Sequence, residues 1–329
     1  VSTASISRAL NSPEKLTSAT RDRIQAAIDE LGYTPNFGGR ALASNRTETV
    51  GAIIPSMSNA MFASGLQAFQ EALASEGVNL LVATTGFDPD VELRQIKALV
   101  SHGADGLLLI GNDRPEKTWD FIDKRQVAHV VAWTSEARPG QYFVGFDNEA
   151  AACDAARRAL VLGHRRIAMI GGLSLNNDRT RARRDGVMRA IAEFGEGAVL
   201  TMLVEAEYLL DAGAEAFSRI MSVQKPTVII CANDVLAAGA MMRARNLGIS
   251  VPDDVSIIGF DDIGLASVVT PPLATVRVPQ LAMGREAARV LLALLASDLR
   301  VSSVLLPTEF ITRASLGPVL RKPPNRPMT

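Results

Sequence analysis

From Val50 onward the chain alternates short apolar runs with amphipathic helical stretches, and that rhythm admits few folds. Residues 51–54 precede a stretch with Phe62, Leu66, Phe69 and Leu73; residues 80–83 precede Val91, Ile96 and Leu99; residues 106–110 precede another. Spacings near the helical repeat put each apolar set on one helix face, and unbroken apolar runs of four or five suit strands covered on both sides. Runs at 130–133 and 143–146 extend the series, which restarts at 167–170, 199–202, 228–231 and 256–259. Strand–helix alternation predicts a parallel α/β sheet, and the restart predicts two such lobes. At 329 residues, 47% hydrophobic and 21% charged, the chain can bury substantial cores and reads as soluble and globular.

The first residues follow another pattern. Ser2 is placed to cap a helix with apolar positions Ile6, Ala9 and Leu10, which leaves Thr3, Ala4, Ser5 and Arg8 outward or at its end. Small polar residues at a helix start can approach base edges, and an arginine can reach a phosphate or a guanine. A second amphipathic stretch runs from Thr17 to Leu31, with Ile24, Ala27, Ile28 and Leu31 on one face, and closes at Gly32. Tyr33-Thr34-Pro35-Asn36 follows, where the proline forbids further helix.

The run Val1-Ser2-Thr3-Ala4-Ser5-Ile6-Ser7-Arg8-Ala9-Leu10-Asn11, then a helix, then Gly32-Tyr33-Thr34-Pro35-Asn36, resembles the headpiece of LacI/GalR-type bacterial transcription regulators, and the likeness extends over nearly the whole chain. Such a headpiece begins with a further helix, so the resemblance implies a helix-turn-helix entered part-way. It also implies a DNA-binding set of Ser2, Thr3, Ala4, Ser5, Ser7, Arg8 and Asn11. In the linker that follows, Asn36, Arg40 and Leu42 match positions of a hinge helix that forms on DNA and wedges a leucine into the minor groove. Gly38 and Gly39 lower helix propensity there, which predicts a hinge disordered without DNA. Net charge is -1, and residues 1–49 hold six basic against five acidic side chains, so DNA affinity must lean on dimerisation and on the preceding helix.

The resemblance extends to periplasmic sugar-binding proteins and implies an α/β, two-lobed periplasmic-binding-protein-like core behind a partial all-α headpiece. The expected divisions are a headpiece at 1–36, a hinge at 37–48, a core at 49–316 and a disordered tail at 317–329. The first lobe would comprise about 49–147 plus 277–307, and the second about 148–276 plus 308–316. Ligands of such folds bind outside the carboxyl ends of the strands, in the cleft between lobes. Ser56, Asn59 and Phe62 follow the first strand, Asp113 the third, Trp133 the fourth and Asp147 the fifth; Asn233 and Asp234, then Asp261 and Asp262, follow later strands. Family effector contacts map onto Arg183, Asn233 and Asp261, with lining positions at Phe62, Trp133, Asp147 and Val278. An arginine fork, a carboxylate and an aromatic face suit a polyol such as a sugar. Arg179, Arg181, Arg183 and Arg184 form a cluster whose liganding member the sequence leaves open.

Catalysis finds no support. His102, His129 and His164 are scattered, no nucleophile-elbow, Walker or dinucleotide glycine motif occurs, and no cofactor or metal is called for. Cys153 and Cys231 sit in apolar or helical stretches without metal spacing, as buried thiols of a cytoplasmic protein would. No run is long enough for a membrane helix. The expectation is a cytoplasmic, homodimeric, sequence-specific regulator, a repressor, that binds palindromic double-stranded operator DNA under control of a sugar-like effector. The alternatives are a sugar-binding transport component without DNA function, or a regulator with a purine or other non-sugar effector.

Overall fold

The computed structural model describes residues Ser2, Ser5, Ile6, Arg8, Ala9, 13–33, 46–298 and 300–319. The hinge expected at 37–48 falls outside them apart from its last three residues, as does the tail from 320. The chain divides into two compact units, Val1–Thr47 and Glu48–Thr329.

In the first unit Ser5, Ile6, Arg8 and Ala9 are helical. The Ser2 carbonyl accepts from the Ser5 and Ile6 amides, and the Ser2 hydroxyl accepts from the Ser5 amide at 3.2 Å. A short 3-10 turn, Pro13–Lys15, leads to α1 (Ser18–Leu31). Gly32 ends α1 at φ 57°, a left-handed conformation that glycine adopts without a Cβ penalty, and the Tyr33 amide closes on the Ile28 carbonyl at 3.0 Å. On the apolar face of α1, Ile24 is buried and Ile28 half-buried, whereas Ala27 and Leu31 are exposed.

The second unit holds two six-stranded sheets. The first contains β1 (Thr49–Ile54), β2 (Asn79–Thr84), β3 (Gly106–Ile110), β4 (Ala128–Ala132), β5 (Phe143–Gly145) and β11 (Val304–Leu305), in the order β11-β5-β4-β3-β1-β2. The second contains β6 (Arg166–Gly172), β7 (Val199–Ala206), β8 (Val228–Cys231), β9 (Ser256–Asp261), β10 (Ala274–Arg277) and β12 (Glu309–Ile311), in the order β12-β10-β9-β8-β6-β7. Every pairing is parallel except β10 with β12. The chain therefore passes between lobes three times: after β5, between β10 and the helix that follows it, and between β11 and β12. β1, β3, β8 and β9 are buried along their whole length, as their unbroken apolar runs require.

The covering helices are α2 (Ala60–Ser75), α3 (Pro89–Ser101), α4 (Glu116–Lys124), α5 (Asn148–Val161), α6 (Asp178–Phe194), α7 (Leu210–Val223), α8 (Asp234–Asn246), the short α9 (Leu265–Val268) and α10 (Gln280–Leu295). α10 packs on α2 through glycine: a Cβ at Gly284 would lie 2.1 Å from the Gly65 carbonyl oxygen and 2.9 Å from the Phe69 nitrogen. Both obstacles are backbone, so nothing there can swing aside. Gly284→Ala is expected to lower the unfolding free energy by about 1–3 kcal/mol, read as a lower urea midpoint at unchanged slope.

His164 fastens the carboxyl-terminal segment to the second lobe. It is buried, its Nε2–H donates to the Gly317 carbonyl at 2.9 Å, and Nδ1 accepts from the Thr227 hydroxyl at 2.9 Å. Both bonds suit the neutral ring, and burial holds the pKa below the ordinary histidine value. As pH falls, the unfolded chain takes up the proton first, near pH ~6.5. Stability is thus complete above that value and declines as pH drops toward the pKa of the folded group. Burial raises the pKa of Asp234 and Asp261, which acts in the opposite sense over the same range, so the histidine contribution is read as the part of the pH dependence, in urea titrations over about pH 5–8, that is lost on substitution. That contribution should be smaller in His164→Asn, with a remainder from His129, which burial depresses in the same direction.

Candidate functional site

Six strand ends and three helix starts meet in the cleft. After β1, Asn59 caps α2, its side chain accepting from the Met61 amide at 3.0 Å, and Phe62 lies in the first turn. After β2 the loop brings in Phe87 at φ 64°. After β6, Asn177 caps α6, whose inward face carries Arg179 and Arg183 one helical turn apart. Tyr208 follows β7, with its hydroxyl 2.6 Å from the Thr180 hydroxyl. Asn233 follows β8 and caps α8 through the Leu236 amide at 2.9 Å. Asp261 ends β9 at φ 109°, a backbone conformation side chains rarely adopt, held here by a fully buried strand. These residues, with Met61, line a void of about 290 Å³ that is in part open to solvent.

The centre of the site is a buried ion pair. Arg183 and Asp261 are 4% and 2% exposed, and Arg183 Nη2 lies 3.7 Å from Asp261 Oδ1. Arg183 Nε donates to Asn148 Oδ1 at 2.9 Å, Nη1 donates to the Ala232 carbonyl, and the guanidinium stacks 3.8 Å from the Phe260 ring centre. Burial lowers the pKa of Arg183, against the attraction of Asp261, and raises that of Asp261 to about 7, against the pull of Arg183. Desolvation therefore outweighs an attraction acting across 3.7 Å. Among the described residues, two buried polar atoms at the void have no hydrogen-bond partner: Asn233 Nδ2, a donor, and Asp261 Oδ1, an acceptor.

Five of the eight effector candidates line this void: Asn59, Phe62, Arg183, Asn233 and Asp261. Trp133 does not. It is 1% exposed, its ring edge-on behind Phe62 at 5.7 Å, and its carbonyl accepts from Asn148 Nδ2 at 3.1 Å. Asp147 caps α5 and faces a wider polar cavity of about 820 Å³ with Asn112, Asp113 and Glu136. Ser56 shapes the loop after β1, bonded to the Ser58 hydroxyl at 2.7 Å and the Ser58 amide at 3.1 Å. Val278 is buried in the core. Asp234 is also turned away, accepting from Thr275 at 2.6 Å and the Ile263 amide at 2.8 Å, and burial raises its pKa to about 8.

The arginine cluster sorts by helical phase. Arg179 and Arg183 face the void, Arg181 pairs with Asp113 at 2.7 Å, and Arg184 pairs with Asp185. Phe87, Tyr208 and Asn177 were missed at the sequence level. β7 runs four residues beyond the apolar stretch 199–202, so Tyr208 stands at a strand end that hydropathy placed too early. Of the DNA-binding candidates, Ser2 and Ser5 join hydroxyls at 3.0 Å and Arg8 is exposed, while Thr3, Ala4, Ser7, Asn11, Asn36, Arg40 and Leu42 lie outside the described residues. Among the described residues no helix is long and apolar enough to cross a membrane.

Asn148 links the Trp133 carbonyl to Arg183, so Asn148→Ala strips a buried cation of an acceptor. A loss of about 1.5–3 kcal/mol in unfolding free energy is expected, measured by urea titration.

Residues 1–36 match the model for bacterial regulatory proteins of the lacI family, and residues 156–316 match a periplasmic binding protein-like domain. The transcriptional repressor CytR of Escherichia coli is 32% identical over 295 residues, which are 89% of this chain and 86% of the relative. The crystal structure of a Lacl-family regulator from Silicibacter pomeroyi superposes with a TM-score of 0.87 at 26% identity, covering 96% of each chain. A regulator solved as a CelR–cellobiose complex superposes with a TM-score of 0.73 at 26% identity, again over 96% of each chain. A lacI-type headpiece, two parallel-sheet lobes and a regulator relative matched over nearly nine-tenths of the chain place it in one family: the chain belongs to the LacI family of bacterial regulatory proteins, as a DNA-binding transcription regulator with an effector-binding core and not an enzyme.

Proposed function

We propose that this regulator is a repressor that works in the cytoplasm as a homodimer on palindromic operator DNA, released or recruited by a small polyol bound in the 290 Å³ void. The observation that carries the effector reading is the pair of orphaned atoms, Asn233 Nδ2 and Asp261 Oδ1. A buried donor and a buried acceptor left without partners are costly. A hydroxyl both accepts and donates, so neighbouring hydroxyls satisfy the two together, while Phe62, Phe87 and Tyr208 offer ring faces to the C–H side of a sugar. CelR in its cellobiose complex is a related regulator with a sugar ligand.

The working divisions are a headpiece at 1–36, a hinge at 37–48 and a core at 49–316, its lobes made of about 49–147 plus 277–307 and 148–276 plus 308–316. Sheet membership supports the lobe division, since β11 joins the first sheet and β12 the second. In the headpiece, Thr3 and Ala4 approach bases and Arg8 and Asn11 the backbone; Leu42 wedges the minor groove, flanked by Asn36 and Arg40.

Control requires that effector bind the open and closed cleft with different affinity. The closed cleft is held by contacts between lobes: the Asn112 amide donates to Asp178 at 2.6 Å, Arg181 pairs with Asp113 at 2.7 Å, and Asn176 Nδ2 donates to the Phe87 carbonyl at 3.3 Å. Effector that fills the void strengthens closure and alters how two copies present their hinges to DNA.

Genomic fragments selected on the protein carrying a complete headpiece should yield one palindromic motif, with binding that weakens steeply as salt rises. A saturating effector should change operator affinity at least about fivefold. The reading fails if every ligand that binds the core leaves operator affinity unchanged.

A further inference from the structure

We propose that the ligand of this void carries an anionic group, a carboxylate or a phosphate, held by Arg179 where three helix N-termini converge; the inference rests on the reading of the void as the effector site. The N-cap residues of α2, α6 and α8, which are Asn59, Asn177 and Asn233, all line it. Each helix has at least 13 residues and presents the positive end of its dipole to the same small space.

The choice of capping residue matters. An aspartate cap brings a negative charge that cancels the dipole; an asparagine cap spends its carbonyl oxygen on the helix amide and leaves an N–H₂ group as a donor. α3 and α5, whose starts lie outside the void, are capped by Asp88 and Asp147. The three helices that open into it carry asparagine; α2 has no acidic residue in its first turn, and the first-turn aspartates of α6 and α8 are engaged elsewhere, Asp178 by Arg179 and the Asn112 amide, Asp234 by Thr275 and the Ile263 amide. At Asn233, which is 2% exposed, the resulting donor Nδ2 has no acceptor among the described residues.

Among the described residues, the charged side chains lining the void are Arg179, Arg183 and Asp261. Arg183 and Asp261 face each other, which leaves Arg179. It is 7% exposed, and its Nη1 donates to Asp178 at 2.8 Å, while Nε and Nη2 have no acceptor among the described residues. Asp178 is shared, since it also accepts from the Arg179 and Asn112 amides. The guanidinium is held in place by Gly111 of the opposite lobe, where any Cβ would lie 1.7 Å from Nη1. A fixed, buried cation that keeps two donors beyond its ion pair with Asp178, set beside three asparagine-capped helix starts, suits an oxyanion, and Asp261 Oδ1 then takes a hydroxyl of the same molecule.

The test is calorimetric titration of the full chain with three matched sets of six-carbon compounds: neutral aldoses and alditols, aldonic and uronic acids, and aldose phosphates. Binding should be confined to the anionic sets, the acids or the phosphates identifying which oxyanion is used, and should weaken as sodium chloride is raised. Arg179→Gln should weaken it by about tenfold or more, and Arg179→Lys should restore part of the loss. Wild-type salt dependence decides the matter independently should a variant fold poorly. Neutral sugars binding as tightly as their acids, or anion binding indifferent to salt and to Arg179→Gln, would overturn the anionic inference and leave the polyol reading standing. If no compound of any set binds, and none changes operator affinity, both fall.

Discussion

The buried contact between Arg183 and Asp261 organises the core. Arg183 stands on α6, Asp261 at the end of β9, and the remaining donors of the guanidinium reach Asn148 at the start of α5 and the Ala232 carbonyl just beyond β8. Asn148 in turn holds the Trp133 carbonyl of the first lobe. One cation thereby ties together elements of both sheets at the point where the chain first crosses between them. Ion pairs of this kind add little net stability, because desolvation consumes the attraction. What they impose is geometry, since a buried charge tolerates few arrangements of its partners.

That geometry leaves the site incomplete by itself. Asp261 is held at an unfavourable backbone angle and Asn233 with an idle donor, although both are buried. A protein core normally satisfies such groups internally. Here the surrounding groups are helix caps and aromatic rings set back around a void, which is what supports the proposed effector reading. The hydrogen bonds and ion pair between the lobes lie beside this void, where the proposed effector control would need them.

Helix contact through glycine supports the same arrangement at longer range. Gly284 and Gly65 let α10 lie against α2 almost backbone to backbone, and Gly65 makes room for the Trp133 ring behind Phe62. The floor of the void is thus built on an indole fixed by close helix packing. Trp133 reaches the ligand space only through Phe62 on one side and through Asn148 and Arg183 on the other.

The sequence by itself determined the alternation of strand and helix, the identity of the headpiece helices and the strand ends from which Asn59, Phe62, Asn233 and Asp261 emerge. These are local properties: hydrophobic periodicity, caps and turns are written within ten or so residues. Only the tertiary structure decided which arginine of Arg179, Arg181, Arg183 and Arg184 turns inward, since helical phase must be referred to a neighbour 50 or more residues away, such as Asp113 or Asp261. It alone brought the Phe87 and Tyr208 rings together, 6.3 Å apart and tilted by 43°, from loops after strands that lie far apart in sequence. It alone withdrew Trp133 and Asp147 from the void, because a residue after a strand can point into the cleft, cap the next helix or sink into the core. Strand position does not distinguish these outcomes, whereas packing against another lobe does.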